Sequence, residues 1–597
     1  MKLVTTEEMR QLERAANDSG HSYAAMMERA GQATALAIKE RLATEAARVL
    51  VLVGPGNNGG DGLVVARYLH EWGHKVTVYI CSRGVQLNAP TEDPNLARVK
   101  ELGLPILWAA EDGGWPPSPP IQSGASGGWG QLEALVREAD VLVDALLGTG
   151  VTGPLRDTLR DLLSALQRAL SRGVQLNAPT GGSSVRGEGV QANAPTLRGI
   201  LDGPAEREQR ARPLVVAVDV PSGLNCDSGE IDPLALKADV TVTFAYPKRG
   251  HFLFPGAGYV GELLVADIGI DPALAEGLPD QVATPELVGR LLPLRPPDAH
   301  KGTFGKALIV AGSTHYTGAP CLAAEAAYRV GAGLVTLAVA EAIYPIVAGK
   351  LTEATYLLLP HELGALVPEA WQVLAGRVEG YDALLVGPGL GREPATGNFL
   401  FALLSGRRRA DRGTACRART SFASTPEAGE RLKLPPMVID ADGLNLLAGR
   451  PRWWESLPTG SVLTPHPGEM ARLLGGEARL VEAERISTAR DAAQRWGCTV
   501  VLKGAYTVVA STEGRTTLIP FANPALATAG TGDVLAGAIV GLMAQGLPGY
   551  QAALCGAYLH GLAGELRRKE IGPAGMLAGD LLPLLPLAIR QLSTSAR

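Results

Sequence analysis

The chain has 597 residues, 46% of them apolar and 19% charged, with a net charge of −5 and six cysteines. That length exceeds one hydrophobic core and suits two to four domains of roughly 100–200 residues each. The acidic balance argues against nucleic acid as a partner. Cysteines scattered without CxxC or HxxxH company argue against a zinc or disulfide framework and for a reducing compartment, expected to be the cytoplasm. Neither a signal peptide nor an uncharged apolar run long enough to cross a bilayer is visible, so no membrane partner is expected.

Residues 6–42 read as two helices. Thr6, Glu7 and Glu8 mark the start of the first, Met9, Leu12, Ala15 and Ala16 fall at helical spacing, and Ser22 suits the cap of the second. Both read as scaffold. RVLVLV, 48–53, is a continuous apolar run of the kind found in a parallel strand covered on both faces. It enters GPGNNGGDG, where Gly54, Gly56 and Gly59 match the dinucleotide fingerprint. That fingerprint wants an acid after the next strand, and here 75–80 ends in Cys81 and Ser82, which weakens a nicotinamide-dependent oxidoreductase. Asn57, Asn58, Gly59, Gly60 and Asp61 instead offer phosphate-binding N–H groups beside oxygens for a hard cation. A ligand-free Asn-Gly turn is the other reading. Two further strand-to-loop junctions follow: DVLVDALLGTGVTGP at 140–154, with Asp144 at the strand end, and LVVAVDVPSGLN at 214–225, with Asp219 and Ser222. Ligands of open parallel sheets bind beyond the carboxyl ends of the strands, so the three junctions point at one site.

NNGGDG, DALLGTG and DVPSGLN together resemble the NAD(P)H-hydrate epimerase domain, a Rossmann-like three-layer sandwich. Position by position, the resemblance implies that Asn57, Asn58, Gly59, Gly60 and Asp61, with Gly148, Thr149, Gly150, Val151, Thr152, Gly153 and Pro154, hold the substrate. Asn58, Asp144 and Ser222 would bind K+, and Asp219 would be the acid/base. Lys237, Asp239, Thr243, Phe244 and the adjoining PKRGH look like the family's closing strands. Thr152 stands where some relatives carry a basic residue. The decapeptide SRGVQLNAPT occurs at 82–91 and again at 171–180, with a degraded copy at 190–196. Such separated copies do not make a folded repeat. Low-complexity insertions are therefore expected near 82–130 and 171–212 in a first domain of residues 1–280, and near 407–432 in a second of 281–597.

Past the Pro-rich 292–298 the apolar strands resume: KALIVAG at 306–312, DALLVGPGLG at 382–391, VIDADGLNLL at 438–447, VLTPHPGEM at 462–470 and VVLKG at 500–504. The last landmark is AGTGD at 529–533, a glycine turn running into an apolar helix. A helix start of this kind holds anions, and Asp533 at its mouth can take a proton from a hydroxyl; Asp533 as a plain helix cap is the alternative. The motif order is similar to the ribokinase-like superfamily. KGTFG, YTGAP, GPGLG, HPGEM and VVLKGA within it look like the NAD(P)H-hydrate dehydratase domain. The resemblance implies that Ala319, Gly389 and His466 contact the hydrated nucleotide. Lys503, Gly504, Ala505, Tyr506, Thr507 and Gly532 would hold ADP with Mg2+, and Asp533 would be the catalytic base.

The fold class expected is thus α/β in two domains, Rossmann-like then ribokinase-like. The resemblance implies a bifunctional enzyme acting on the small-molecule hydrates of NADH and NADPH, with ADP as second substrate and homo-oligomerisation left open. A ribokinase-like small-molecule kinase with a non-catalytic first half is the main competitor, because folds are reused without activity.

Overall fold

The computed structural model describes residues 1–42, 44, 46–81, 93–112, 129–150, 153, 155, 157–175, 212–407 and 432–595. Two compact units divide it, Met1–Leu278 and Pro279–Arg597. The division precedes the expected 280/281 boundary because Asp280 already belongs to a strand of the second sheet.

In the first unit seven parallel strands, β1 Arg48–Val53, β2 Lys75–Ile80, β3 Ile106–Trp108, β4 Val141–Ala145, β5 Leu214–Val218, β6 Val240–Phe244 and β7 Glu262–Ala266, stand in the order β3-β2-β1-β4-β5-β6-β7. Six helices cover them: α1 Thr6–Asp18, α2 Tyr23–Lys39, α3 Asn57–Glu71, α4 Pro94–Glu101, α5 Gly130–Glu138 and α6 Asp157–Gln175. Successive strand residues face opposite sides. Val49, Val51 and Val53 accordingly enter one core with α1 to α4, while Leu50 and Leu52 enter another with α5 and α6. This is the three-layer sandwich anticipated. Thr5 caps α1 in a capping box with Glu8, and the Ser22 hydroxyl accepts the Ala25 N–H at 3.2 Å to cap α2.

Residues 93–112 correct the expected insertion near 82–130, since they supply α4 and β3. Asp93 caps α4 with Pro94 in its first turn, and Val99 and Leu104 are buried in the core. Their Gly- and Pro-rich flanks concealed a short helix and a three-residue strand. In the second decapeptide copy, residues up to Gln175 are the end of α6. The first copy, the degraded third copy and all but the ends of 407–432 lie outside the described residues.

The second unit carries a ten-stranded sheet. It comprises β8 Asp280–Val282, β9 Lys306–Val310, β10 Leu334–Ala340, β11 Thr355–Leu359, β14 Ala383–Val386, β15 Met437–Ile439, β16 Val462–Leu463, β17 Thr499–Leu502, β18 Val508–Ala510 and β19 Thr516–Leu518; β12 His361–Glu362 and β13 Ala365–Leu366 form a separate small hairpin. The order is β11-β10-β9-β14-β15-β16-β17-β18-β19-β8. The seven strands from β11 to β17 are parallel, β18 runs against both its neighbours, and β8 pairs parallel to β19.

Each sheet therefore reverses its direction of growth once, between β1 and β4 and again between β9 and β14, and the strand ends at such a point open a cleft. Over the second sheet lies the helix Thr531–Ala544, apolar from Val534 onward. Its Gly537 and Gly541, one turn apart, rest on the backbone of Ala323 and Ala327 in the helix Ala319–Arg329; a Cβ at Gly541 would lie 2.7 Å from the Ala327 Cα. Among the described residues no helix is long and apolar enough to cross a membrane.

Candidate functional site

At the first switch point the loop after β1 meets the loop after β4 so closely that a Cβ on Gly54 would collide with the Leu146 carbonyl. That approach brings Asn58 over the β4 end, where its Nδ2 donates to the Leu147 carbonyl at 2.8 Å. The Asn58 Oδ1 is buried and has no hydrogen-bond partner. Beside it the Asp144 carboxylate accepts the Ser222 hydroxyl at 2.6 Å and the Ser222 N–H at 2.9 Å, and the Ser222 hydroxyl accepts the Leu147 N–H at 2.9 Å. Burial pushes the Asp144 carboxyl above its ordinary value, against the Ser222 hydrogen bonds. An orphaned amide oxygen next to a buried carboxylate and a hydroxyl is a donor set that fits a weakly hydrated monovalent cation.

A cavity of about 720 Å³ adjoins this cluster, lined by Asn57, Asn58, Asp61, Gly148, Thr149, Gly150, Gly153 and Asp219, and also by Arg10, Glu13 and Phe244. Gly59 and Gly60 are not on its wall. Both donate their N–H to the Gly56 carbonyl, at 2.9 and 3.3 Å, and both are packed inward at the tight helix start. Val151, Thr152 and Pro154 lie outside the described residues.

Asp219 sits past the end of β5 with φ of 63°, a left-handed conformation that a non-glycine residue adopts only when its surroundings demand it. The carboxylate it presents is paired with Lys248. The fully buried ammonium donates to Asp219 Oδ1 at 2.5 Å and to the Thr243 hydroxyl at 2.9 Å, and Thr243 donates to the same carboxylate at 2.8 Å. Burial alone would raise the Asp219 carboxyl; the Lys248 charge and hydrogen bond outweigh it and hold the group below its ordinary value. His251 contacts the Asp219 carbonyl at 3.2 Å, and burial with the Lys248 charge pushes it down to about 3, so it is neutral. Asp61 shows the opposite behaviour: burial, then the Asp219 and Glu13 charges, drive its carboxyl well up. Lys248, Arg10 and Glu13 were not singled out as site residues from the sequence. PKRGH was legible only as part of a closing strand, and nothing in α1 marks a cavity wall.

In the second unit the loops after β9, β14, β15, β16 and β17 gather around the start of the 531–544 helix. Gly389 has φ of 63°, and a Cβ there would lie 2.6 Å from the Tyr316 Cβ and 3.1 Å from the Ala319 Cβ, so Ala319 and Gly389 share one wall. Asp440, at the β15 end, accepts the Lys503 ammonium at 2.6 Å, and Glu469 stands 3.7 Å from the same ammonium. Burial lowers the Lys503 ammonium, but Asp440 and Glu469 together raise it above its ordinary value. His466 opens the helix Pro467–Leu474, its ring accepting the Gly468 N–H at 3.1 Å while Glu469 returns a bond to its backbone at 2.8 Å. Half its side chain is exposed toward solvent, and burial together with Lys503 lowers its pKa, leaving a neutral imidazole.

Asp533 lies in the first turn of its helix; the cap position belongs to Gly530, at φ of 91°. A Cβ on Gly532 would lie 3.6 Å from the Lys503 ammonium and 3.9 Å from the Asp440 carboxylate, which puts the anion-holding turn against that ion pair. Burial, then Asp440, push the Asp533 carboxyl up to about 7, with Lys503 opposing. A carboxyl at that value suits a general base near neutral pH. His560 holds the turn from behind through a 3.0 Å contact with the Thr531 carbonyl. Of the expected nucleotide segment, Gly504 and Ala505 are exposed and Thr507 is half-buried, whereas the Tyr506 side chain is 1% exposed and points into the core. The Lys503 ammonium faces Asp440.

A family model described as NAD(P)H-hydrate dehydratase matches residues 307–409 and 428–587, and one described as YjeF-related protein N-terminus matches 23–250. The bifunctional NAD(P)H-hydrate repair enzyme Nnr of Moorella thermoacetica is 36% identical over 99% of this chain and 97% of its own length. That of Coxiella burnetii is 34% identical over 98% of this chain and 99% of its own. Among solved structures, the ADP/ATP-dependent NAD(P)H-hydrate dehydratase of Bacillus subtilis, co-crystallised with ATP and Mg2+, is 32% identical and matches 52% of this chain and 98% of its own, with a TM-score of 0.42.

Proposed function

Because the chain belongs to the family of bifunctional NAD(P)H-hydrate repair enzymes, we propose that its first unit interconverts the R and S epimers of hydrated NADH and NADPH, and that its second dehydrates the S epimer at the expense of ADP, giving AMP and phosphate. The observation that carries the reading is a pair of unlike carboxyls, each beside a sheet switch point: Asp219, held ionised by Lys248, and Asp533, poised near neutrality. A small-molecule kinase with an inert first half needs no charged, 720 Å³ cavity there.

In the first unit Asp219 is the acid/base nearest the reacting carbon, with Asn57, Asp61 and the 148–153 loop around the substrate. Asn58, Asp144 and Ser222 would hold K+, and the unpaired Asn58 oxygen supports that assignment; bound there, the ion would offset the charge of the buried Asp144. In the second unit Ala319, Gly389 and His466 face the hydrated ring. Asp533 takes the proton of the C6 hydroxyl, whose oxygen attacks the terminal phosphorus of ADP while the Gly530–Gly532 turn steadies the transferring group. Phosphate then leaves where hydroxide would not. Among the described residues no three His, Cys, Asp or Glu side chains form a cage for a metal, so Mg2+ would arrive on the nucleotide, where it neutralises phosphate charge. The free state of the five described cysteines fits a cytoplasmic setting.

The test follows return of NADH absorbance from a mixed-epimer hydrate with ADP, with ATP or with neither. Complete recovery with ADP is expected. No recovery with either nucleotide would overturn the dehydratase reading, and recovery stalling at the S fraction would overturn the epimerase reading.

A further inference from the structure

Inversion at C6 of a hydrated nicotinamide ring asks more of the first unit than one carboxylate supplies. The hydroxyl has to leave one face and return on the other while the cavity holds the ring. One group protonates the departing oxygen, and a second deprotonates the water that arrives opposite. Three carboxyls line the cavity, each from a different element: Glu13 on α1, Asp61 on α3 and Asp219 beyond β5. Asp219 is engaged by Lys248 and Thr243. Asp61 is 9% exposed, and burial with the Asp219 and Glu13 charges drives its carboxyl well above the ordinary value.

Glu13 differs from both. Its side chain is half-buried on the cavity wall and makes no hydrogen bond to another described residue. The charges facing it are Arg10 on its own helix, Asp219 and Lys248 across the cavity, and Asp61 on α3. Burial raises its carboxyl, Lys248 and Arg10 oppose, and Asp219 adds to the rise. On the cavity wall with no hydrogen-bond partner of its own among the described residues, this carboxyl is placed to exchange a proton with a hydroxyl bound there.

We propose that Glu13 is the second proton-handling carboxyl of the epimerase cavity, working in alternation with Asp219. The inference rests on the epimerase reading above. The C6–O bond breaks with its electron pair on oxygen, which takes the Glu13 proton and departs as water, while the N1 lone pair forms an N1=C6 bond. Water from solvent adds to the other face of C6, the π pair returns to N1, and the excess proton passes to Asp219. Proton exchange with solvent restores both groups, and the reverse reaction uses them with roles exchanged.

The full chain without nucleotide, given purified R hydrate and followed by chromatographic separation of epimers, tests this. Glu13→Gln should lower kcat about 10²–10⁴-fold with KM little changed, and should erase the alkaline limb of the pH profile. Glu13→Asp should keep the limb, displaced, at an intermediate rate. A Glu13→Gln rate within about threefold of wild type with the limb intact would overturn the proposal. If circular dichroism shows Glu13→Gln unfolded, Glu13→Asp decides alone: a wild-type rate and limb overturn the proposal, a slowed rate and displaced limb support it. Wild type no faster than the protein-free rate would sink the epimerase reading itself.

Discussion

Asp533→Asn should make the second unit inactive and, above neutrality, more stable. The carboxyl rises from an ordinary 3.8 to about 7 on folding. A carboxyl raised in the folded state favours the protonated form there, so between those values the native state binds more protons than the unfolded one and stability falls as pH rises. At about 1.4 kcal/mol per unit, the three-unit rise amounts to about 4 kcal/mol, absent below pH 4 and fully present above pH 7. Asparagine has no proton to lose, so the variant escapes that penalty. Calorimetry at pH 5 and pH 8, on the transition that ADP shifts in the wild type, should show the variant gaining on wild type as pH increases. Dehydration of the S epimer should fall about 10²–10⁴-fold, and the wild-type rate should drop tenfold per pH unit below about 7. A variant that loses as much stability at pH 8 as at pH 5, or a wild-type acid limb near pH 4, would refute the electrostatics argued for this carboxyl.

Lys248→Met leaves the Asp219 carboxylate buried without its ammonium, which should cost about 3–5 kcal/mol of stability, and epimerisation at pH 7 should fall with the acid limb moved up; an unchanged limb would contradict the pair's role. Replacing K+ by N-methylglucamine should slow epimerisation and lower the melting temperature of wild type but not of Asn58→Leu, and equal responses would remove the cation from the Asn58 cluster. Gly537→Ala drives a Cβ into the Ala323 carbonyl. It should cost about 2 kcal/mol or more, seen as a lower ADP-shifted transition; an unmoved transition would mean the two helices separate freely.

Chain order carried much of the fold, because buried parallel strands such as RVLVLV are continuous apolar runs and glycines are obligatory where two strand-end loops touch. The Asn58, Asp144 and Ser222 cluster was legible for the same reason, each residue being tied to its own strand end. Lys248 was not: its partner Asp219 lies 29 positions earlier and its meaning depends on burial that no local pattern announces. Glu13 and Arg10 escaped because a helix that seals a core also turns one edge toward a cavity, and periodicity reports only the sealing face. Tyr506 shows the opposite limit, since a motif match carries position but not the direction of a side chain, and this one is buried.

The pairing of β8 with β19 bears on where this polypeptide can be cut. Homology to the dehydratase family begins at residue 307, yet Asp280–Val282 supplies the last strand of the sheet, and Asp280 takes the Thr516 hydroxyl at 2.5 Å and the Arg490 guanidinium. A recombinant fragment started at the homology limit would strip β19 of its outer neighbour and leave a row of open backbone groups, the kind of border along which chains stick to one another in an expression host. Starting the fragment at Pro279 retains the strand and its ion pair.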